Sequence, residues 1–178
     1  MKRIAFSLVA LITIAGAGSL SAQGVRFGIG GGLLVPMGNY KDADKMGWLV
    51  GGDATYWMMG TPVGIRADVQ YSQTSEKSGV LAHTTKIIGG LAEAVYAFGK
   101  KGDGVRPYIM GGLGLYNVKI DVSGLSGSTT KVGFGGGAGL AFKLGTGGTR
   151  FFVEGKFVSV ATSGSSYTFL PIRAGFRF

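Results

Sequence analysis

The last nine residues, 170–178, constrain the fold of this chain more than any other segment. Arg173 and Arg177 lie between apolar residues that take every second position and include the terminal one. A β-strand points successive side chains to opposite faces, so the segment predicts a strand with one apolar and one basic face. Such a strand is typical of the wall of a membrane barrel, where one face contacts hydrocarbon and the other contacts a polar interior. The apolar positions are Leu170, Ile172, Ala174, Phe176 and Phe178.

The other end of the chain has the layout of a secretory signal peptide. Lys2 and Arg3 form a basic start, an apolar stretch covers residues 4–17, and small residues lead to Ala22. This order is typical of export signals, and the stretch is shorter than the roughly 20 residues that a spanning helix needs. The sequence therefore predicts a signal peptide over residues 1–22, cleaved after Ala22, and one domain over residues 23–178.

Composition narrows the class of protein further. The chain has 35 glycines but only 4 prolines, and the glycines lie within apolar stretches, which argues against disorder. It has no cysteine, which excludes disulfides and thiol chemistry. The formal net charge is +9, yet the longest basic run is Lys100-Lys101, so an anionic lipid surface is a simpler partner than nucleic acid.

Two-residue alternation recurs along the whole domain and predicts eight strands. They have about the 9–11 residues that a tilted strand needs to cross a bilayer. Long and short connections alternate, as in bacterial barrels with short periplasmic turns and longer outer loops. The pattern predicts an all-β fold, an eight-stranded antiparallel up-and-down transmembrane β-barrel. The predicted strands cover residues 25–35, 48–58, 63–72, 85–98, 106–118, 131–144, 150–159 and 167–178.

Aromatic residues near the strand ends support a membrane barrel, because such barrels carry aromatic girdles at both interfaces. A soluble barrel of the lipocalin type is the rival fold, but the signal peptide, the terminal Phe and the two belts disfavour it. The predicted periplasmic belt contains Phe27, Tyr56, Tyr96, Phe98, Tyr108, Phe142, Phe151, Phe176 and Phe178, and the outer belt contains Trp48, Tyr71, Tyr116, Phe134, Phe157 and Tyr167.

Ten charged residues fall on the predicted inner face. A basic side chain facing lipid at mid-depth costs about 2–4 kcal/mol, so the charges determine which way each strand faces. An eight-stranded lumen holds little more than side chains, and buried charges need partners. We expect a cross-paired network, although charges near the rims could instead contact water. The ten residues are Arg26, Asp53, Arg66, Asp68, Glu93, Lys143, Glu154, Lys156, Arg173 and Arg177.

Two hypotheses refine this network. Glu93 and Glu154 are expected to pair with arginines from neighbouring strands, and the inner glycines of residues 131–144 are expected to leave room for the long side chains.

Motifs for catalysis and cofactors are weak. Residues 133–138 fit a dinucleotide spacing, but that motif needs a strand, a turn and a helix, and here the glycines lie within a predicted strand. His83 is the single histidine, and a metal site needs several ligands. Ser75, Ser78 and Glu76 near His83 leave a lipid esterase as a minor alternative. No cofactor and no metal are predicted.

Several segments resemble small outer-membrane barrels of the OmpX/OmpA type. Arg106-Pro107-Tyr108 with residues 111–116 is similar to their fifth strand, and residues 135–140, 152–157 and 175–178 continue the likeness. The resemblance implies that the assembly machinery of the outer membrane recognises the terminal strand. It implies contact with outer-membrane lipid and lipopolysaccharide, and a family that spans adhesins, structural proteins, small channels and a few lipid-modifying enzymes.

The resulting expectation is a non-enzymatic, monomeric protein of the bacterial outer membrane with a lumen filled by side chains. Its expected role is structural or in surface interactions. A narrow passive pore is the main alternative, and a lipid-modifying enzyme is the second.

Overall fold

The structure, a computed structural model, describes residues 24–76, 83–122, 125–162 and 165–178. The predicted signal peptide, residues 1–22, lies outside the described residues. Among the described residues, no helix has the length and apolar character needed to cross a membrane.

Eight antiparallel strands form a closed barrel in chain order, which confirms the predicted fold. A short helix, α1 (Tyr40–Ala43), lies between the first two strands. The strands are β1 (Val25–Met37), β2 (Gly47–Trp57), β3 (Val63–Ser75), β4 (His83–Ala97), β5 (Val105–Val122), β6 (Leu125–Lys143), β7 (Arg150–Thr162) and β8 (Ser165–Arg177).

The two ends of the barrel differ in their connections. At one end, called the turn end below, residues 58–62, 98–104 and 144–149 join β2 to β3, β4 to β5 and β6 to β7, and there β1 begins and β8 ends. Gly60, Gly99 and Gly145 in these segments have φ of 74°, 74° and 60°, a left-handed conformation that favours glycine. The opposite end is called the loop end.

The predicted strands over residues 106–118 and 131–144 leave an outer loop over residues 119–130, and this part of the prediction is wrong. Pairing between β5 and β6 continues through Lys119↔Ser128 to Val122↔Leu125, because hydrogen bonding to a neighbouring strand outweighs the weak strand preference of Ser and Gly. Among the described residues, β6 pairs with β7 only from Gly133 onwards. Within that part of the chain, residues 125–132 of β6 are therefore paired on one side only.

The barrel wall separates an apolar outer face from a filled lumen. Ile29, Leu113 and Val132 on the outer face are 60 %, 66 % and 60 % exposed. Tyr108 and Tyr116, predicted as members of the aromatic belts, lie instead in the lumen, 4 % and 0 % exposed. Both faces of β5 are rich in apolar residues and glycine, so its sequence alone does not determine its facing.

An apolar cluster, called the plug below, fills the lumen towards the loop end. Tyr40 of α1 enters the barrel, its hydroxyl lies 2.7 Å from Thr74 Oγ1, and its ring meets Tyr167 edge to face at 5.3 Å. Burial raises the pKa of Tyr40 above its ordinary value, so the plug holds a neutral phenol. The plug consists of Leu34, Tyr40, Leu49, Ile87, Leu91, Tyr116, Val118, Val158, Val160 and Phe169.

Candidate functional site

The structure brings eight of the ten predicted inner charges into one buried cluster below the plug. Their side chains alternate with outward-facing apolar residues along β2, β3, β4, β7 and β8. Four carboxylates meet four cationic side chains, so the cluster is balanced in charge. The members are Asp53, Arg66, Asp68, Glu93, Glu154, Lys156, Arg173 and Arg177, each no more than 7 % exposed.

Glu154 is the centre of this network. Its Oε1 accepts hydrogen bonds from Arg173 Nε and Nη2 at 3.1 and 2.7 Å. Its Oε2 accepts from Arg177 Nη2 at 2.8 Å, from Arg66 Nη1 at 3.2 Å and from the Tyr108 hydroxyl at 2.7 Å. Charge-assisted hydrogen bonds of this kind are about twice as strong as neutral ones, so one carboxylate ties β3, β5, β7 and β8 together.

A second group of ion pairs lies beside it. Lys156 Nζ is 3.0 Å from Glu93 Oε1 and 3.1 Å from Asp68 Oδ1. Arg66 approaches Glu93 at 3.8 Å through Nη1 and donates from Nε to Thr55 Oγ1 at 3.0 Å. Glu93 therefore has cationic neighbours on β3 and β7, from its own side of the barrel and from across the lumen.

Aromatic rings complete the cationic sites. The Arg177 guanidinium lies 3.9 Å from the centroid of the Phe152 ring, and Arg173 lies 5.5 Å from the same ring. Arg177 and Arg66 also lie over Tyr108, at 5.2 and 5.4 Å. A cation over an aromatic face is stabilised by the ring quadrupole, so Phe152 and Tyr108 stabilise the same guanidinium groups that the carboxylates bind.

Sequence reasoning did not assign Tyr108 and Phe152 to the lumen. Phe152 could have been found, because alternation along β7 places it on the same face as Glu154. For Tyr108 the missing signal is the register between β5 and β6, in which Tyr108 pairs with Gly139 and Met110 with Gly137. Paired residues point to the same side of a sheet, so the inward glycines of β6 place Tyr108 inside once the register is known.

Glycines make room for the large inner side chains. A Cβ atom at Gly139 would lie 2.5 Å from the Tyr108 hydroxyl oxygen and 2.9 Å from Glu154 Cβ. A Cβ atom at Gly133 would lie 2.9 Å from the Tyr116 ring. These β6 positions therefore accept an aromatic ring from β5 in place of a side chain of their own.

Arg26 and Lys143 do not join the network. Arg26 donates from Nη1 to the Gly148 carbonyl oxygen, and Lys143 is exposed. Both stand at strand ends beside the turns, within reach of water. They line a cavity of about 920 Å³ that opens at the turn end.

The terminal strand presents its predicted apolar residues to the outside. Ile172, Phe176 and Phe178 are 40 %, 46 % and 47 % exposed, and Phe176 packs against Phe151 with ring centroids 5.7 Å apart. Leu170 and Ala174 are half-buried on the same face. The Phe178 N–H donates to the Phe27 carbonyl at 2.8 Å, so the terminal residue helps to close the barrel.

The motifs considered for chemistry take ordinary strand positions. Residues 133–138 lie inside β6, without the following helix that a dinucleotide site needs. His83 begins β4 and pairs with Val122, while Ser75 ends β3 and pairs with Thr84. Ser78 lies outside the described residues.

A closed barrel of eight strands, with an apolar outer face and a charged interior, defines an integral protein of the outer membrane. The chain belongs to the outer membrane protein beta-barrel domain family, whose model matches residues 7–178. The protein is thus an outer-membrane protein of the Gram-negative cell envelope, as predicted. In such barrels the chain extends further on the outer side than on the periplasmic side. The longest strands, β5 and β6, with 18 and 19 residues, extend at the loop end, so the loop end faces outward and the turn end faces the periplasm.

Solved structures of three outer-membrane proteins have the same fold. Neisserial surface protein A aligns with a TM-score of 0.66 and 18% identity, over 86% of this chain and 96% of that chain. The outer membrane enzyme PagL gives 0.54 and 17%, over 86% and 98%. The barrel domain of Pseudomonas aeruginosa OprF gives 0.50 and 20%, over 88% and 98%. No curated protein matches the sequence.

Proposed function

We propose that this protein is a non-enzymatic, non-conducting barrel of the outer membrane with a structural and surface-interaction role. The observation that carries the proposal is the two-layer filling of the lumen. The plug closes the outer half, and the ion-pair network closes the middle. An eight-stranded barrel has an interior just wide enough for such side chains.

Conductance separates the closed barrel from a narrow pore. Purified protein inserted singly into planar bilayers is expected to give no sustained conductance. The Phe169→Ala/Tyr116→Ala variant removes part of the plug and tests whether any conductance passes through the lumen. Phe157→Ala on the outer face is its matched control. Sustained conductance of the unaltered protein would contradict the proposal and support a passive pore.

The absence of enzymatic activity is a separate part of the proposal. The family contains lipid-modifying enzymes, and the similarity to PagL extends to the fold alone. Cells that produce the protein are expected to have the same lipid A composition as cells that produce His83→Ala or no protein. A change in lipid A that depends on His83 would overturn this part.

The surface role rests on the one-sided pairing of β6. Gly127, Ser128, Thr129 and Thr130 are exposed, and Asn117 Nδ2 donates to Thr130 Oγ1 at 2.9 Å across the β5–β6 pair. A strand edge with unpaired backbone groups can take up an extended segment of another protein. The outward extension of this edge makes it the favoured contact surface.

A charged residue at an edge opposes strand addition, which provides the test. Bacteria that produce the wild type are expected to attach to protein-coated surfaces more strongly than bacteria that produce Thr129→Lys. The matched control is Thr61→Lys in a periplasmic turn. Equal attachment by all three strains, or none above a strain that lacks the protein, would contradict the surface role.

The remaining partners follow from the location. We propose that the outer face contacts membrane lipid and lipopolysaccharide, that the assembly machinery of the outer membrane inserts the barrel through its terminal strand, and that the folded protein is a monomer. Light scattering in detergent tests the last statement, with a dimer mass as the contrary result.

A further inference from the structure

The periplasmic mouth of the barrel carries an excess of positive charge. Seven cationic side chains and no carboxylate are among the described residues that line the cavity of about 920 Å³. Arg66 and Arg177 belong to the buried network. The others, called the mouth cations, are Arg26, Lys101, Arg106, Lys143 and Arg150.

The mouth cations are not neutralised as the network is. None of the five takes part in the ion pairs formed within the described part of the chain. Asp103 attracts Arg106 and Arg150, but Arg26 repels both of them, and Arg106 also repels Arg150. Three guanidinium groups from β1, β5 and β7 therefore line one cavity with one carboxylate nearby.

The arginines are nevertheless held in place. Arg150 donates from Nη2 to the carbonyl oxygens of Lys101 and Asp103, at 2.8 and 3.1 Å. The Arg106 guanidinium lies 5.5 Å from the Trp57 ring centroid. Carbonyl oxygens and an aromatic face orient these groups, and Asp103 offsets only part of their positive charge.

Arg106 also has an unused donor. Its Nε is buried and finds no acceptor among the described residues. Buried donors usually have a partner, and Arg106 lines the open cavity, so its Nε can donate to an acceptor that enters the cavity from outside the chain.

We propose that the periplasmic mouth is a binding site for anions of the phosphate class, held by Arg26, Arg106 and Arg150. The planar fork of arginine matches the oxygen geometry of phosphate, and a cluster with several positive charges favours an anion with more than one negative charge. The phosphate belongs either to a soluble molecule of the periplasm or to a lipid headgroup of the inner leaflet. The site is independent of whether the barrel conducts.

Trp57 provides the readout, because the chain has 2 tryptophans and Trp48 lies at the loop end of β2. The full barrel with Trp48→Phe is folded in maltoside micelles and titrated with inorganic pyrophosphate at constant ionic strength. The Trp57 emission is expected to change in a saturable way. No saturable change would overturn the proposal.

Charge variants test which residues bind. In the same background, Arg106→Gln and Arg26→Gln are each expected to raise the apparent Kd about tenfold. Arg106→Lys should bind between wild type and Arg106→Gln, since it keeps the charge and loses the fork. Lys41→Gln at the loop end is the matched control and should bind as the parent does. Equal weakening in Lys41→Gln, or unchanged binding in both glutamine variants, would overturn the site.

Folding and the source of the phosphate are tested separately. Unboiled gel mobility identifies folded protein, and only variants with native mobility are titrated. The titration is repeated in nanodiscs of pure phosphatidylcholine and in nanodiscs that also contain phosphatidylglycerol. If phosphatidylglycerol shifts the Trp57 emission and pyrophosphate then has no further effect, the site binds a lipid headgroup. If pyrophosphate changes the emission equally in both discs, the site binds a soluble phosphate. No response in either disc overturns the proposal.

Discussion

Arg177 on β8 reaches over β1 to Asp53 on β2, with Arg177 Nε 3.0 Å from Asp53 Oδ1. Gly28 of β1 lies in register with both residues. A Cβ atom at Gly28 would lie 2.9 Å from Arg177 Cγ and would also collide with the Asp53 carboxylate. The ion pair across the closing strand therefore requires glycine at this position.

Replacing Gly28 with alanine is expected to destabilise the barrel. The added methyl group must push the Asp53–Arg177 pair apart, and overpacking of this kind costs about 1–3 kcal/mol. The measurement is the free energy of unfolding in urea, followed by unboiled gel mobility in lipid vesicles. Gly155→Ala is the control, because a Cβ atom there has no neighbour within 4 Å. An equal effect of both variants would contradict the argument.

Removing the central carboxylate should cost more. Glu154→Ala leaves Arg66, Arg173 and Arg177 without their shared acceptor, and breaking a buried ion pair costs about 3–5 kcal/mol. Asp121→Ala removes the exposed pair with Lys86, whose atoms are 2.9 Å apart, and should have little effect because water screens it. The same unfolding experiment compares the two variants. A Glu154→Ala barrel as stable as the wild type would mean that the network is not a source of stability.

The assignment of the outer face is tested with a charge that faces lipid. Leu113 is 66 % exposed in the middle of β5, so Leu113→Arg should lower the free energy of unfolding by about 2–4 kcal/mol in bilayers. Met59, 91 % exposed in a periplasmic turn, can reach water, and Met59→Arg should leave stability nearly unchanged. An unchanged free energy of unfolding in Leu113→Arg would mean that this face contacts water and not lipid.

The terminal Phe should matter for assembly more than for stability. Phe178→Ala is expected to reduce the amount of folded barrel in the outer membrane of cells, because assembly is proposed to read the apolar terminal strand. The purified variant should still refold in detergent, since the backbone bond from Phe178 to Phe27 remains. Phe157→Ala, an exposed aromatic of β7, is the control for a general loss of apolar surface. Equal amounts of folded barrel for both variants would contradict the proposed role of Phe178 in assembly.

Local alternation was enough to predict the barrel and most of its inner charges. Along β3, Arg66 and Asp68 alternate with apolar residues, and an error of one residue would move both charges into lipid. This large free-energy difference depends on adjacent residues, so the facing of the strand can be predicted without knowledge of strand pairing. The same reasoning predicted the outward face of the terminal strand.

Strand pairing decided what the alternation left open. In the middle of β5, over residues 107–116, both faces are apolar or glycine, and only the register with β6 turns Tyr108 and Tyr116 inward. Residues 125–132 become strand because β5 offers hydrogen-bond partners, although their own composition favours a loop. Arg26 and Lys143 alternate correctly, yet their depth in the barrel keeps them beside water and away from Glu154.

The sequence by itself therefore determined the fold class, the membrane location and which face of most strands is apolar, because each of these follows from the contrast between adjacent side chains. Only the tertiary structure decided which charges meet, where the lumen is closed and which arginines remain unneutralised at the periplasmic mouth. Those properties depend on contacts between residues distant in the chain, whose geometry is set by the closure of the barrel.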